Sequence, residues 1–444
     1  MLNHRKKPNN LSIIFTMNHV DKIISAKWML DDKNNSLLED HSIVVDGNII
    51  KDIMPSSQVA KSYSTDDIIL LRHHIILPGL VNSYNNSSIL WMHNQNSIKR
   101  EIKNNLYTNY KNNLLKKHHR DVSSKISILE MVKNGITTLC DSGTFPESMI
   151  DQAKKAKVRC TIGLEIQNTK NRWADDENQC LDKSLRVFDD YNRDPDIQFF
   201  FNPKSIKSVS KKILNKISNI SNELDIPVKM SVHNSEAEIK YSLENYNCRP
   251  IEYLEKMEIL NNKFTLLETI NLNEEDIKIL KKHRVNLNIN KYTKISSKNI
   301  NIKNILNNKI NITMSSGSMI DDSSPDMLEE ISILSLLSNV SKEEIGTRDL
   351  LNFITINSAK AIGLENRVGL LSRGYLADII SVNINQLLKR GRPTFNGIER
   401  KLKSNDIDNV LMSGRYIMKN KKLMTIMEEK IYDRFISIKN QVLK

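Results

Sequence analysis

The sequence predicts an α/β fold: a (β/α)8 barrel of the TIM type plus a small β-sandwich domain built from both termini. Strand-like runs fill residues 20–76, similar runs return near the C-terminus, and the residues between them alternate strand and helix patterns. Because parallel strands need helical crossovers, this alternation predicts a parallel sheet, and a closed barrel is its simplest form at this length. We expect the sandwich to use residues 1–76 and 376–444, the latter with a terminal helix, and the barrel to use 77–375.

Two predicted hairpins define the sandwich. Asp46-Gly47 separates two apolar runs in the first, and Ser413-Gly414 separates two apolar runs in the second. A glycine after a short polar residue favours a tight antiparallel turn, since glycine adopts the positive φ that such turns need. One hairpin lies near each end of the chain, and this is why a single domain made from both ends is expected.

The predicted barrel begins with a clear helix and strand pair. Residues 124–134 carry their apolar side chains on one side, and Gly135 fits the position just after a helix. The run 136–140 then predicts a buried strand that ends at Asp141. The other expected elements are helices at 211–224 and 326–337, the second capped by Ser324 and begun by Pro325, and strands at 227–233, 263–269 and 310–314.

Composition excludes several classes of protein. The 444 residues include 39% hydrophobic types and carry a formal charge of +13, too small an excess to keep the chain unfolded. The basic charge is spread thinly, so nucleic acid is not an expected partner. No apolar stretch is long enough for a membrane span. The four cysteines form no Cys-x-x-Cys pair, which predicts free thiols and a reducing, cytoplasmic location.

Several segments resemble, in the same order, the motifs of one superfamily. The segments are residues 77–82 (LPGLVNAHTH), 130–141 (EMLRSGTTTFVD), 173–183 (WADADEYLDK), 233–236 (HLHET or HLAET), 249–254 (RPVEYL), 326–330 (LDMFEEM) and 357–378 (TINGAKALGLEDRIGSLEVGKKADLI). The chain therefore resembles the amidohydrolase superfamily, in the branch of chlorohydrolases and methylthioadenosine/S-adenosylhomocysteine deaminases. The shared order over most of the chain makes this resemblance specific.

The resemblance implies a site at the carboxyl ends of the barrel strands. It also implies one divalent metal ion, zinc or iron, held by a His-x-His pair, a third histidine and an aspartate, with an open position for the attacking water. The implied reaction is hydrolysis of non-peptide C–N bonds, in particular deamination of a small adenosine-like amine. The family often dimerises, so a homodimer is a further expectation.

Matched to the family pattern, three of the four ligand positions carry other residue types. The His-x-His pair falls on Tyr84 and Asn86, whose phenol and amide oxygens are poor ligands for zinc. The aspartate falls on Gly317, which has no side chain to coordinate a metal. His233 keeps the position of the third histidine. The resemblance thus implies a degraded metal site, with weak or absent metal binding.

Three further residues fall on family positions around the metal. Glu236 keeps the place of the general acid/base carboxylate, Glu268 replaces a histidine that orients water, and Lys204 falls near a substrate-contacting histidine. A rival site remains open: His233, Glu236 and Glu268 follow neighbouring strands and could converge on a harder ion such as Mg²⁺ or Mn²⁺. His93 follows the altered His-x-His motif and is a candidate substitute ligand.

We expect an amidohydrolase-fold protein that is catalytically impaired or inactive, a pseudoenzyme. Without the metal, the pKa of water returns from about 7 toward 15.7, which corresponds to about 12 kcal/mol. A carboxylate acting as general base recovers only about 3–5 kcal/mol. Two alternatives remain: an active hydrolase with a metal site rebuilt around His233, Glu236 and Glu268, and a non-catalytic binding or scaffold protein.

Overall fold

The computed structural model describes residues 17–31, 33–88, 116–296, 300–317 and 324–442. The strands are β1 (Asn18–His19), β2 (Lys22–Leu30), β3 (Leu37–Asp46), β4 (Ile49–Pro55), β5 (Tyr63–Ser64), β6 (Ile68–Pro78), β7 (Leu80–Asn82), β8 (Ile136–Ser142), β9 (Arg159–Ile166), β10 (Ile197–Pro203), β11 (Val228–Ser231), β12 (Phe264–Leu267), β13 (Asn286–Ile289), β14 (Ile312–Met314), β15 (Ile379–Asn383), β16 (Ile407–Met412), β17 (Arg415–Lys419) and β18 (Lys422–Leu423).

The helices connect and cover these strands. They are α1 (Ser56–Ser62), α2 (Lys117–Lys133), α3 (Pro146–Ala156), α4 (Glu177–Tyr191), α5 (Lys211–Leu224), α6 (Glu236–Tyr246), α7 (Pro250–Lys256), α8 (Glu274–His283), α9 (Lys291–Ser296), α10 (Ile302–Asn307), α11 (Met327–Val340), α12 (Thr347–Phe353), α13 (Ile356–Lys360), α14 (Asn385–Leu388) and α15 (Glu428–Val442). Among the described residues, no helix has both the length and the apolar composition needed to cross a bilayer.

Strands β7 to β14 form a parallel sheet whose spatial order follows the chain. Every crossover between successive strands includes at least one helix, as parallel pairing requires. The first and last strands also meet, because the Ser83 N–H donates to the Met314 carbonyl (3.3 Å) and Asn85 bridges to Gly317. The sheet is therefore a near-closed barrel, and the predicted (β/α)8 architecture is confirmed.

A second sheet combines the two ends of the chain, as predicted. Its order is β18-β17-β16-β15-β6-β2-β3-β4, and β6 pairs antiparallel with β15 from Ile379 opposite Pro78 onward. Both predicted hairpins are present, β3–β4 and β16–β17. The single residue between β6 and β7 is Gly79, where a Cβ would lie 2.1 Å from Oγ1 of Thr137, so only glycine fits this passage into the barrel. The domain limits at 76/77 and 375/376 remain predictions.

A buried ion pair ties the barrel to the second sheet. Arg159 begins β9 and is fully buried; its guanidinium donates to the carboxylate of Asp378, which immediately precedes β15. The same guanidinium donates to Oγ of Ser413 (2.8 Å), in the β16–β17 turn. The Ser413 N–H donates back to Asp378 Oδ1 (2.8 Å). These bonds hold three distant segments together at the joint between the two sheets.

Some predicted elements have different ends in the structure. Helix α11 is capped by Asp326, whose side chain accepts from the Glu329 N–H (2.9 Å), whereas the predicted cap, Ser324, accepts instead from Asn134 (2.7 Å). The strand predicted at 227–233 is shorter, since β11 ends at Ser231 and His233 has a φ of 59° that extended backbone does not allow. The four cysteines are free and buried, as expected.

The terminal helix α15 packs on α2. Ile431, Tyr432 and Phe435 of α15 form an apolar cluster with Ile126 of α2. Glu130 lies in this contact, and burial raises its pKa to about 7 despite the nearby Lys133 ammonium. Burial and the nearby Glu130 carboxylate together raise the pKa of Tyr432 to about 12. The contact therefore contains a carboxyl group that titrates near neutral pH.

Candidate functional site

The mouth of the barrel is organised around the carboxylate of Asp141 in β8. Its Oδ1 accepts from Asn85 Nδ2 (2.8 Å) and from the Ser87 N–H (2.8 Å), while Oδ2 accepts from the Ser87 hydroxyl (2.9 Å). The buried guanidinium of Arg120, from α2, donates to Oδ2 (2.5 Å) and to the Ser87 hydroxyl (2.5 Å). All the described partners of Asp141 thus come from the loop after β7 and from α2, and they fix that loop against the end of β8.

The two positions of the His-x-His pair lie in this loop. Tyr84 is half-buried and packs against an apolar cluster that includes Cys140 and Phe200. Asn86 is buried, and its Oδ1 accepts from the Ser88 N–H (3.1 Å). The one oxygen that Asn86 could offer a metal is already used within its own turn.

The position of the family aspartate leaves little room for a side chain. Gly317 has a φ of 67° and bridges to Asn85 across the barrel closure. A Cβ at this position would lie 2.6 Å from Nδ2 of Asn290. Both the left-handed backbone and this contact favour glycine. The local structure is therefore adapted to the absence of a ligand here.

His233 lies beyond the end of β11 and faces the helices that follow it. The side chain is fully buried, and its Nδ1 is 3.7 Å from Oδ2 of Asp276 in α8. The same oxygen accepts from Nη2 of Arg249 (2.8 Å), the residue that precedes α7. Burial lowers the pKa of His233 to about 4, against the opposing effect of Asp276, so the imidazole is neutral at pH 7.

Sequence reasoning missed Ser231, which is the last residue of β11 and pairs in register with Leu267 of β12. Its hydroxyl lies 3.5 Å from Oε2 of Glu268, the residue directly after β12. One signal could have identified it, because the five-residue motif HLHET fits residues 231–235 without a gap. In that register Ser231 takes the place of the first histidine and Asn234 that of the glutamate.

Glu236 and Lys204 lie at the same end of the barrel but do not approach the Asp141 group in any described contact. Glu236 is an exposed residue in the first turn of α6, and its carboxylate accepts from Asn271. Lys204 follows β10, and its ammonium donates to Oε1 of Gln167 (3.2 Å). Each of these two side chains is paired with an amide of a neighbouring loop.

A polar network fills the barrel interior below the mouth. Asn288 donates to the Ser83 hydroxyl (2.6 Å), and Asn82 donates to the Ser316 hydroxyl (2.8 Å). Lys229 of β11 lies in the same layer, is fully buried, and donates to the Ser83 carbonyl. Its Nζ lies 4.6 Å from the centre of the Phe200 ring. The interior thus holds an ammonium group with one carbonyl and one aromatic face as its described neighbours.

We expect Lys229→Met to stabilise the protein at pH 7 by about 1–2 kcal/mol, because burying an ammonium costs more than leaving one carbonyl unpaired. Burial lowers the pKa of Lys229 below its usual 10.5. The unfolded chain therefore binds more protons in the alkaline range, and stability should rise with pH there in the parent but not in the variant. Urea unfolding at several pH values measures both effects, with the exposed Lys216→Met as control; a loss of stability at every pH would contradict the prediction.

The described residues at the mouth do not fit a zinc ion. The family positions hold a phenol, a bonded amide, a hydroxyl or a buried neutral histidine, and a glycine, whereas zinc needs at least three strong N, O or S donors. Nor does the rival set of His233, Glu236 and Glu268 converge: within the described ranges no group of three His, Cys, Asp or Glu side chains could hold a metal. His233 is turned toward α8 and Glu236 toward solvent, which keeps them apart. His93 lies outside the described residues.

Comparison with known families agrees with this architecture. The sequence profile of the amidohydrolase family matches residues 75–417, which include the whole barrel and most of the C-terminal part of the second sheet. The chain belongs to the amidohydrolase family. The resemblance found from the motifs is therefore confirmed.

Curated relatives cover nearly the whole chain of this amidohydrolase. A 5-methylthioadenosine/S-adenosylhomocysteine deaminase of Halothermothrix orenii is 25% identical over 442 residues, covering 96% of this chain and 99% of the relative. A 5′-deoxyadenosine deaminase of Methanococcus vannielii is 26% identical over 421 residues, covering 88% of this chain and 94% of the relative.

Solved structures share the fold. An adenosine deaminase from Xanthomonas campestris with bound zinc superposes with a TM-score of 0.91 at 17% identity, covering 96% of this chain and 99% of that one. An atrazine chlorohydrolase from Arthrobacter aurescens, complexed with zinc, gives a TM-score of 0.81 at 17% identity, covering 95% and 100%. Both of these relatives were crystallised with zinc, so a divalent metal is a feature of this group of folds.

Proposed function

We propose that this amidohydrolase descends from deaminases of adenosine-like compounds and no longer catalyses metal-dependent hydrolysis of C–N bonds. The observation that carries the proposal is the set of side chains at the strand ends. Tyr84, Asn86 and Gly317 stand where the family pattern has metal ligands, and each is held in the structure by other contacts. A site adapted in this way has little freedom to gather a metal ion.

The end of β11 supports the same proposal. Catalytic side chains of TIM barrels project from the carboxyl ends of the strands, and at this strand end the residue is Ser231. We therefore propose that Ser231 occupies the third ligand position and Asn234 the position of the acid/base carboxylate. In this register His233 is a structural histidine beside Asp276 and Arg249. Neither a serine hydroxyl nor an asparagine amide replaces the lost chemistry, since neither is a strong zinc ligand or a base at pH 7.

Two other hypotheses remain to be separated from this one. An active hydrolase needs a metal, and its ligands would have to include side chains beyond those of the described mouth, such as His93. A binding or scaffold protein needs no metal and is compatible with the proposal. The deaminase relatives suggest adenosine-like compounds as the first ligands to test, because their names specify 5′-deoxyadenosine and 5-methylthioadenosine.

Metal content tests the proposal most directly. Protein produced with zinc, iron and manganese supplied is expected to hold far less than one metal ion per chain while unfolding cooperatively in urea. Ammonia release from 5′-deoxyadenosine and 5-methylthioadenosine is expected to stay at background, since about 12 kcal/mol of water activation is missing. The Halothermothrix orenii deaminase, prepared and assayed in parallel, is the positive control.

The variants His233→Ala and His93→Ala locate any metal that is found. We expect both to leave the metal content unchanged. About one equivalent of metal that either substitution removes, together with ammonia release, would mean that the site has been rebuilt rather than lost. Stoichiometric metal that neither substitution affects, without ammonia release, would disprove the claim about metal binding but not the claim about activity.

A further inference from the structure

A groove of about 310 Å³ lies on the outside of the barrel, between α2, α3 and the terminal helix α15. Each helix contributes one face to it: residues 122, 125 and 128 on α2, residues 152, 155 and 156 on α3, and residues 427, 430, 431 and 434 around α15. These spacings of three and four residues place the side chains of each helix on a common side. The volume is at the lower end of the range for sites that bind small molecules.

Four basic side chains line this groove and no acidic one does. They are Lys125, Lys155, Lys430 and Arg434. Within the described part of the chain, none of the four has an ion-pair partner. Glu428, at the start of α15, is paired outside the groove with Lys133 (2.5 Å). The groove therefore concentrates positive charge that the described residues do not neutralise.

The floor of the groove is apolar, with two unsatisfied polar groups. Val122, Ile128 and Ala156 are each at most 5% exposed and form part of the floor. Gln152 is 5% exposed, and its buried Oε1 has no hydrogen-bond partner among the described residues. The buried hydroxyl of Thr425 also lacks a described partner. Buried polar groups in folded proteins are normally paired, so these two point to a missing ligand.

The rim adds an apolar side chain. Met427 is 72% exposed and lies beside Lys430 in the lining. A flexible thioether of this kind adapts its shape to a bound molecule. Positive charge around an apolar floor is complementary to a ligand with an apolar body and an anionic head. Two lysines and an arginine on neighbouring helices suit a phosphate, because guanidinium and ammonium groups form charge-assisted hydrogen bonds with it.

We propose that this groove binds a small amphiphilic anion, an alkyl or aryl chain that carries a phosphate group. The phosphate is held by the four cations and by Thr425 and Gln152, and the chain lies on the apolar floor between α2 and α3. This site is separate from the barrel mouth, so the proposal does not depend on whether the mouth is catalytic.

Calorimetric titration of the full chain with decyl phosphate, kept below its micelle concentration, tests the proposal. We expect saturable binding at one site per chain that weakens as salt is added. Inorganic phosphate has the charge without the chain, and decyl maltoside has the chain without the charge. Each is expected to bind at least about tenfold more weakly, the loss that corresponds to one strong contact.

Two variants and one control locate the binding. Lys125→Gln/Lys155→Gln removes two rim charges, and Met427→Glu adds an opposing charge at an exposed position where folding is unaffected. Both are expected to weaken binding of decyl phosphate about tenfold or more. Lys211→Gln/Lys212→Gln, on the exposed side of α5, changes the net charge equally and is expected to leave binding unchanged.

Several results would overturn the proposal. Equal binding of inorganic phosphate or of decyl maltoside would show that charge or chain alone is sufficient. Equal weakening by the α5 control would show that the effect is due to net charge. A change from dimer to monomer in the groove variants, seen by sedimentation, would instead assign the groove to a contact between two copies of the chain.

Discussion

Replacing Asp378 by alanine is expected to destabilise the protein by about 3–5 kcal/mol, because it leaves the guanidinium of Arg159 buried without its counter-charge. Arg159 is 0% exposed, and Asp378 also accepts the Ser413 N–H that holds the β16–β17 turn. Removal of the carboxylate therefore loosens the joint between barrel and second sheet as well as stranding a charge. Urea unfolding followed by circular dichroism measures the loss.

The double variant Arg159→Met/Asp378→Leu separates charge burial from packing. With both charges gone, we expect most of the loss to be recovered, since apolar side chains of similar size often replace a buried ion pair without cost. The exposed pair Lys240 and Glu244, 3.7 Å apart on α6, is the matched control, and its disruption should cost less than about 0.5 kcal/mol. A small loss in Asp378→Ala, similar to that of the control, would show that the pair contributes little.

Glu130 makes the stability of the protein depend on pH near neutrality. Its pKa is about 7 in the folded chain against a usual 4.5, so the folded state keeps a proton that the unfolded chain has released between these values. Stability should therefore be unaffected by this group below about pH 4.5, fall as the pH rises to 7, and remain lower above it by up to about 3 kcal/mol.

Glu130→Gln is expected to remove this fall, so that the variant becomes more stable than the parent above pH 7. Unfolding curves between pH 5 and pH 8 measure the difference, and Glu223→Gln, at an exposed position on α5, is the control. Because Glu130 lies under α15, hydrogen exchange of the α15 amides, corrected for intrinsic rates, should also accelerate more with pH in the parent. Parallel pH profiles for parent and Glu130→Gln would contradict the assignment.

Most of the fold could be predicted because its signals are local. The alternation of strands and helices, the Asp46-Gly47 and Ser413-Gly414 turns, and helix α5 depend on neighbouring residues, and the structure has all of them. Helix ends were less certain, as at α11, where Asp326 is the cap and Ser324 bonds to Asn134 of another segment. A cap competes with partners that are distant in sequence, which a local pattern does not reveal.

The candidate site could be predicted only in part. The residue types at positions 84, 86 and 317 follow directly from the motifs, and they led to the hypothesis of a lost metal site. The position of His233 could not be derived in this way, because HLHET fits the sequence in two registers that differ by two residues. Where β11 stops depends on its pairing with β12, and this pairing decides that Ser231 meets Glu268 at the mouth while His233 turns toward Asp276.

The sequence by itself determined the family, the barrel with its second sheet, and the absence of histidine from three family positions, since each of these is written in residue order and type. Only the tertiary structure decided which side chains meet. Arg120 reaches Asp141 from another helix, Lys229 is enclosed by strands far away in the chain, and three helices converge to form the basic groove. Such contacts join residues tens to hundreds of positions apart, and the chain specifies them through packing of the whole core rather than through any local pattern.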